Sequence, residues 1–206
     1  MTRVKICGVT SVEDALLCAE AGADAIGLNF APESVRCLSL ATAERIVAAL
    51  PASVLTVGVF VDADETTLRQ FKETLNLGCL QLHGDEPPEL LERFLPHAFK
   101  ALRVRGDEIA RDAARYGGDH LLLDAYVPGH HGGTGARFDW HVAAELGSVR
   151  RITLAGGLTA ENVAEAIRVA TPYCVDVASG VESKPGKKDP NEVRAFIAAV
   201  RAADGG

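Results

Sequence analysis

The stretch VKICG, residues 4–8, is an apolar run that ends on a thiol, Cys7, followed by a glycine, Gly8. HLLLDA, residues 120–125, carries one carboxylate, Asp124, inside an otherwise apolar run. A thiolate can take a proton and a protonated carboxylic acid can give one, so the two could act as base and acid. Alone, each has a plainer explanation. A lone buried cysteine is more often a small hydrophobe than a reagent. A carboxylate in an apolar run is costly unless it is paired or protonated, so an ion pair or a loop cap would account for it equally well.

Two glycine turns supply a second kind of chemistry. LAGGL, residues 154–158, and ASGVE, residues 178–182, each follow an apolar run. Glycine lets bare backbone N–H groups approach an anion, and a following helix adds a favourable dipole. Gly156, Gly157, Ser179 and Gly180 are therefore candidate phosphate ligands, with ordinary tight turns as the alternative. GHHGGTGARFDW, residues 129–140, is a glycine-rich loop after Asp124 that could cover a site. Its adjacent histidines, His130 and His131, lack further spaced ligands, so no metal site is expected.

The elements that must position these residues form a series. Apolar runs occur at 4–7, 25–30, 55–61, 79–83, 99–104, 120–126, 151–155 and 174–178. Most are continuously apolar, as strands buried on both faces should be. An amphipathic segment follows each, from SVEDALLCAEAG, with its capping serine and stop at Gly22, through TAENVAEAIRVA, residues 159–170, to DPNEVRAFIAAVRAA. Units recurring at roughly 25 residues require parallel strands with helical crossovers. Eight of them fill residues 1–206 as one (β/α)8 barrel domain. A doubly wound open sheet is the alternative, but no GxGxxG follows the first strand.

Chemistry in such a barrel gathers at the C-terminal ends of the strands. Cys7, His83, Arg103, Asp124 and the two glycine turns all fall there, and Arg36 lies in the loop after strand 2. Cys79 and Cys174 open their strands, at the opposite face. Lys5 shares the inward face of Cys7. It is expected to pair with Asp176, which interrupts CVDVA on the strand that closes the barrel, because either charge alone would be expensive to bury.

Composition bounds the partners. The chain is 48% hydrophobic and 24% charged, with a formal net charge of −7. No basic stripe is present to track a nucleic-acid backbone, and no apolar run is long enough to span a membrane. Five cysteines without a CxxC, and a start that leaves no room for a signal peptide, point to a reducing cytoplasm.

Taken in order, KICGVT, ESVRCLS, VGVFV, LQLHGDE, LLLDA, GGTG…FDW, LAGGL and DVASGVESKPGKKD make the chain resemble the phosphoribosylanthranilate isomerase family of tryptophan biosynthesis. The resemblance covers nearly the whole chain. It implies a cofactor-free Amadori rearrangement of an N-phosphoribosyl-anthranilate to an aminodeoxyribulose phosphate. Cys7 would be the general base and Asp124 the general acid. Arg36 would meet the anthranilate carboxylate, and Gly156, Gly157, Ser179 and Gly180 would cradle the phosphate. His83, Arg103, Gly133, Thr134 and Gly135 would line the substrate's mouth. A base role asks that the thiol pKa come down from about 8.5, and burial of Asp124 would keep its carboxyl protonated. One departure is Val35, where the family commonly has proline, which puts the rigidity of that loop in question. A monomer is expected. The rivals are two other phosphosugar barrels, an aminoaldose isomerase of histidine biosynthesis and a decarboxylating synthase, and a phosphate-binding barrel without catalysis.

Overall fold

In the computed structural model, which describes residues 1–104, 108–125 and 139–205, eight parallel strands close into a barrel. They are β1 (Arg3–Cys7), β2 (Ala25–Asn29), β3 (Leu55–Phe60), β4 (Cys79–Leu82), β5 (Ala98–Val104), β6 (His120–Ala125), β7 (Arg151–Leu154) and β8 (Cys174–Val177). The helices among the described residues are α1 (Val12–Ala21), α2 (Leu40–Ala49), α3 (Glu65–Thr74), α4 (Pro88–Glu92), α5 (Ile109–Ala114), α6 (His141–Gly147), α7 (Val163–Ala170) and α8 (Pro190–Asp204). The expected (β/α)8 barrel is the observed fold. None of these helices is long and apolar enough to cross a membrane.

Local signals explain the elements. Ser11 caps α1 by accepting a hydrogen bond from the Asp14 N–H, and Gly22 ends it in the left-handed region at φ 101°. Strand alternation then sorts the side chains. Val4, Ile6, Ile26 and Leu28 face outward into the main core, where Ala15, Cys18, Val193 and Phe196 join them from the helices. Ala25, Val57, Phe99, Ala101, Leu122 and Ala155 fill the barrel interior.

Closure brings β1 beside β8, with Lys5 opposite Asp176. Lys5 Nζ lies 2.9 Å from each carboxylate oxygen of Asp176, both side chains being buried. The pairing expected from the sequence is present.

Two segments depart from expectation. The helix expected to begin near residue 159 begins at Val163, because the Asn162 side chain accepts from the Thr159 N–H and donates to the Gly157 carbonyl. Such side-chain bonds compete with the first helical turn. The segment before α8, where the sequence predicts no strand, contains a short antiparallel hairpin, β9 (Glu182–Lys184) with β10 (Lys187–Lys188).

Candidate active site

Cys7, Arg36, His83, Asp124, Gly156, Gly157, Ser179 and Gly180 line one cavity of about 870 Å³ at the C-terminal end of the barrel. Arg103 stands directly opposite Asp124 in the β5–β6 register, and its Nη2 donates to the His83 carbonyl at 3.1 Å. Gly133, Thr134 and Gly135 lie outside the described residues, as does most of the glycine-rich loop.

Gly8 explains why a glycine follows the thiol. Its φ is +69°, and a Cβ there would lie 2.3 Å from Arg36 Cδ. The chain must turn left-handed beneath the arginine, which only glycine does cheaply. The Arg36 loop is built from two tight turns. Ser34 donates its N–H to the Ala31 carbonyl at 3.0 Å, and Cys37 donates to the Ser34 carbonyl at 2.9 Å. The Arg36 N–H also reaches Ser34 Oγ at 3.1 Å. These bonds close the loop without the proline that Val35 replaces.

Asp124 is buried at the end of β6. His83 Nε2 lies 3.3 Å from its Oδ2, in a contact not aligned for a hydrogen bond, and the other ring nitrogen meets Gln81 Nε2 at 2.9 Å. Gly156 packs against the same carboxylate, where a Cβ would come within 2.9 Å of Oδ1.

The two glycine turns are one structure. A Cβ on Gly180 would lie 2.0 Å from the Leu158 carbonyl oxygen, so the turn after β8 presses directly on the turn after β7. Asn162 fixes the first turn from below through its bond to the Gly157 carbonyl.

Sequence reasoning missed Glu182, Lys188 and Gln81. Glu182 holds Arg36 in a bidentate pair, Nε to Oε1 at 2.8 Å and Nη2 to Oε2 at 2.7 Å. Lys188, fully buried, donates to Glu182 at 2.9 Å, to the Cys7 carbonyl at 2.7 Å and to the Ala178 carbonyl at 3.0 Å. Burial alone would raise the Glu182 carboxyl, but Arg36 and Lys188 hold it below its ordinary value. The signal was a lone glutamate directly after the second glycine turn, followed by a lysine-rich segment.

The lowering that a base role asks of the thiol is opposed by its surroundings. Burial pushes the Cys7 thiol up from its ordinary value; the Lys5 charge pulls it back, Asp176 pushes it up, and Lys188 pulls it down. Desolvation outweighs the two ammonium groups, as it does for a thiol in a poorly solvated pocket.

A closed parallel barrel whose strand ends gather a thiol, a carboxylate and paired glycine turns defines the class: a (β/α)8-barrel enzyme whose mouth carries acid–base groups. Comparison with known proteins narrows this. Residues 4–199 match the family described as N-(5'-phosphoribosyl)anthranilate (PRA) isomerase. The curated N-(5'-phosphoribosyl)anthranilate isomerase of Citrifermentans bemidjiense is 47% identical over 201 residues, 98% of each chain. The crystal structure of phosphoribosyl anthranilate isomerase from Thermotoga maritima superposes with a TM-score of 0.89 at 40% identity, over 98% of this chain and 100% of that one. Another, solved with reduced 1-(o-carboxyphenylamino)-1-deoxyribulose 5-phosphate, gives a TM-score of 0.86 at 38% identity over 98% and 100%. The chain belongs to the N-(5'-phosphoribosyl)anthranilate isomerase family.

Proposed function

We propose that this protein converts N-(5-phosphoribosyl)anthranilate to 1-(2-carboxyphenylamino)-1-deoxyribulose 5-phosphate, the isomerisation step of tryptophan biosynthesis, with Cys7 as base and Asp124 as acid. The observation that carries this reading is the placement of a thiol and a carboxylate at the ends of β1 and β6, facing one cavity whose rim is the fused pair of glycine turns.

The chemistry follows from that placement. Asp124 gives a proton to the furanose ring oxygen as the C1–O bond breaks, leaving C1 doubly bonded to nitrogen. The Cys7 thiolate removes the proton from C2, and the C2–H electrons form a C1–C2 double bond while nitrogen regains its pair. The resulting enol then relaxes to the C2 ketone. No atom is gained or lost, and each step is a proton transfer that side chains of the mouth can carry. The turns at Gly156–Gly157 and Ser179–Gly180 receive the phosphate through backbone N–H groups. Glu182 occupies Nε and Nη2 of Arg36, so Nη1 is the donor assigned to the aryl carboxylate.

In this reading the chain forms a single barrel domain over residues 1–206 and works as a monomer. Its five cysteines are free thiols, in keeping with a cytoplasmic setting. Light scattering at working concentration tests the assembly state.

Loss of substrate fluorescence on turnover tests the chemistry. Cys7→Ala and Asp124→Asn should each cut kcat by roughly 10²–10⁴-fold while melting close to the parent. A folded variant with near-parental kcat overturns that residue's assignment. Phosphate soaked into crystals should appear against Gly157 and Gly180; side chains filling that place would overturn the cradle.

A further inference from the structure

The buried pair Lys5–Asp176 sits directly beneath the residue proposed as base. Lys5 and Cys7 are two apart on β1 and share the inner face. Across the β1–β2 register Cys7 stands opposite Gly27. A Cβ on Gly27 would lie 2.7 Å from Cys7 Sγ and 3.0 Å from Lys5 Nζ, so thiol and ammonium occupy the same gap over that glycine. Asp176 takes Nζ through both of its oxygens, which leaves one of the three ammonium N–H groups for another acceptor. Filling the barrel needs no charge here, since apolar residues of similar volume pack as well or better.

We propose that Lys5 is the counter-ion of the Cys7 thiolate and that Asp176 is the opposing charge that limits its effect, so that the pair sets how readily Cys7 ionises. Both are positioning residues acting through the thiol. The catalytic meaning of this rests on the reading of Cys7 as base; the electrostatic coupling does not.

The other cations around the thiol act on it less. Lys188 of β10 bonds the Cys7 carbonyl and adds the smallest of the pulls on the thiol, and Arg36 approaches from the loop after β2, but Glu182 pairs with both. Cys79 of β4, His120 of β6 and Cys174 of β8, which interact with the Lys5–Asp176 pair, carry no charge near neutral pH. Burial pushes the Cys79 thiol up to about 11 and the Cys174 thiol up to about 12. It pushes the His120 imidazole down to about 4. An ammonium beside a thiol favours its ionised form and a carboxylate disfavours it, so removing either charge should move Cys7 in opposite directions.

The pH dependence of iodoacetamide alkylation at Cys7, followed by mass spectrometry of the Cys7 peptide so that exposed Cys37 does not interfere, reads this directly. In Asp176→Asn, which keeps an oxygen acceptor for Lys5, the alkylation midpoint should fall by about one pH unit. In Lys5→Met/Asp176→Asn it should rise above the parental value by at least about that amount. An unchanged midpoint in Asp176→Asn, or shifts of the same sign in the two variants, overturns the proposal. Should the double variant not fold, the sign of the shift in Asp176→Asn decides alone. The same shifts should appear in the pH limb of kcat/KM. Alkylation shifts without matching kinetic shifts would leave the coupling standing and remove Cys7 as the base.

Discussion

Lys5 and Lys100 are both buried, and both pair with a carboxylate, but they stand on opposite sides of the barrel wall. Lys100 points outward from β5. Its Nζ meets Glu86 at 3.0 Å and also the carbonyls of Leu82, Gly84 and Ala101 at 3.1, 2.7 and 3.0 Å. Glu86 in turn accepts the N–H groups of Asp62 and Gly84, both at 3.0 Å, and its own carbonyl takes the Tyr116 hydroxyl at 2.9 Å. Every donor of Lys100 is used on backbone or on Glu86, and the loops after β3 and β4 are tied by it. Lys5, among the described residues, bonds Asp176 alone in this way and lies against a thiol. Burial pushes the Lys100 ammonium below its ordinary value, with Glu86 opposing. Burial would also lower Lys5, but Asp176 and Cys7 together more than reverse it. A buried pair saturated by backbone braces loops, whereas one with a donor to spare can act on a neighbour's charge.

The comparison breaks most readily at Lys100. Lys100→Met leaves Glu86 buried without its cation and should cost about 3–5 kcal/mol in urea unfolding. The Cys7 alkylation midpoint should not move, and a shift there would erase the distinction between the two lysines.

His120 tests how little further charge the interior accepts. It stacks on Phe99 at 4.4 Å between centroids, and its Nε2 is 2.7 Å from Thr153 Oγ1. Its folded pKa, pushed down to about 4 by burial first and by Arg151, lies below the unfolded value of 6.5. The unfolded chain therefore binds this proton first as pH falls. The contribution is whole above pH 6.5 and is lost progressively toward pH 4, amounting to roughly 3 kcal/mol. His120→Gln should flatten the unfolding midpoint over that window.

Smaller effects sharpen the outer half of the contrast. Glu182→Gln removes the charge that Arg36 and Lys188 share. It should raise KM about tenfold, near 1.4 kcal/mol, with kcat little changed, as steady-state kinetics will read. Val35 is the second residue of the turn closed by Cys37 N–H to Ser34 carbonyl, a position that suits proline. Val35→Pro should add about 0.4–1 kcal/mol to thermal stability.

The barrel was legible because its signals are local and repeated. Runs such as AIGLN and LLLDA have no reading other than buried strand, and Ser11 and Gly22 mark the ends of α1 unambiguously. Lys5 with Asp176 was legible for a different reason: alternation put both inside, and closure left each no other partner. The hairpin at 182–188 was not, because its lysines look like a solvated segment until a fully buried Lys188 is seen bridging three acceptors. Gln81 was hidden by parity, being polar in a strand whose inner face only the closed fold defines. The start of α7 was misread because Asn162 is a tolerable helix residue whose side chain bonds elsewhere. The thiol's direction of shift was not legible, because the solvation of a strand end is set by the loops that fold over it.

Lys188 has a consequence for how the chain comes to be made. Cys7 leaves a ribosome well before Asp176, Glu182 and Lys188 do. The carbonyl of Cys7 waits for Lys188, and its neighbour Lys5 waits for Asp176, until β8 and β10 have emerged. A nascent barrel with seven strands paired would hold a thiol with neither its clamp nor its balancing charge in place. The site is therefore assembled at the seam between β1 and β8, where an early and a late part of the chain meet.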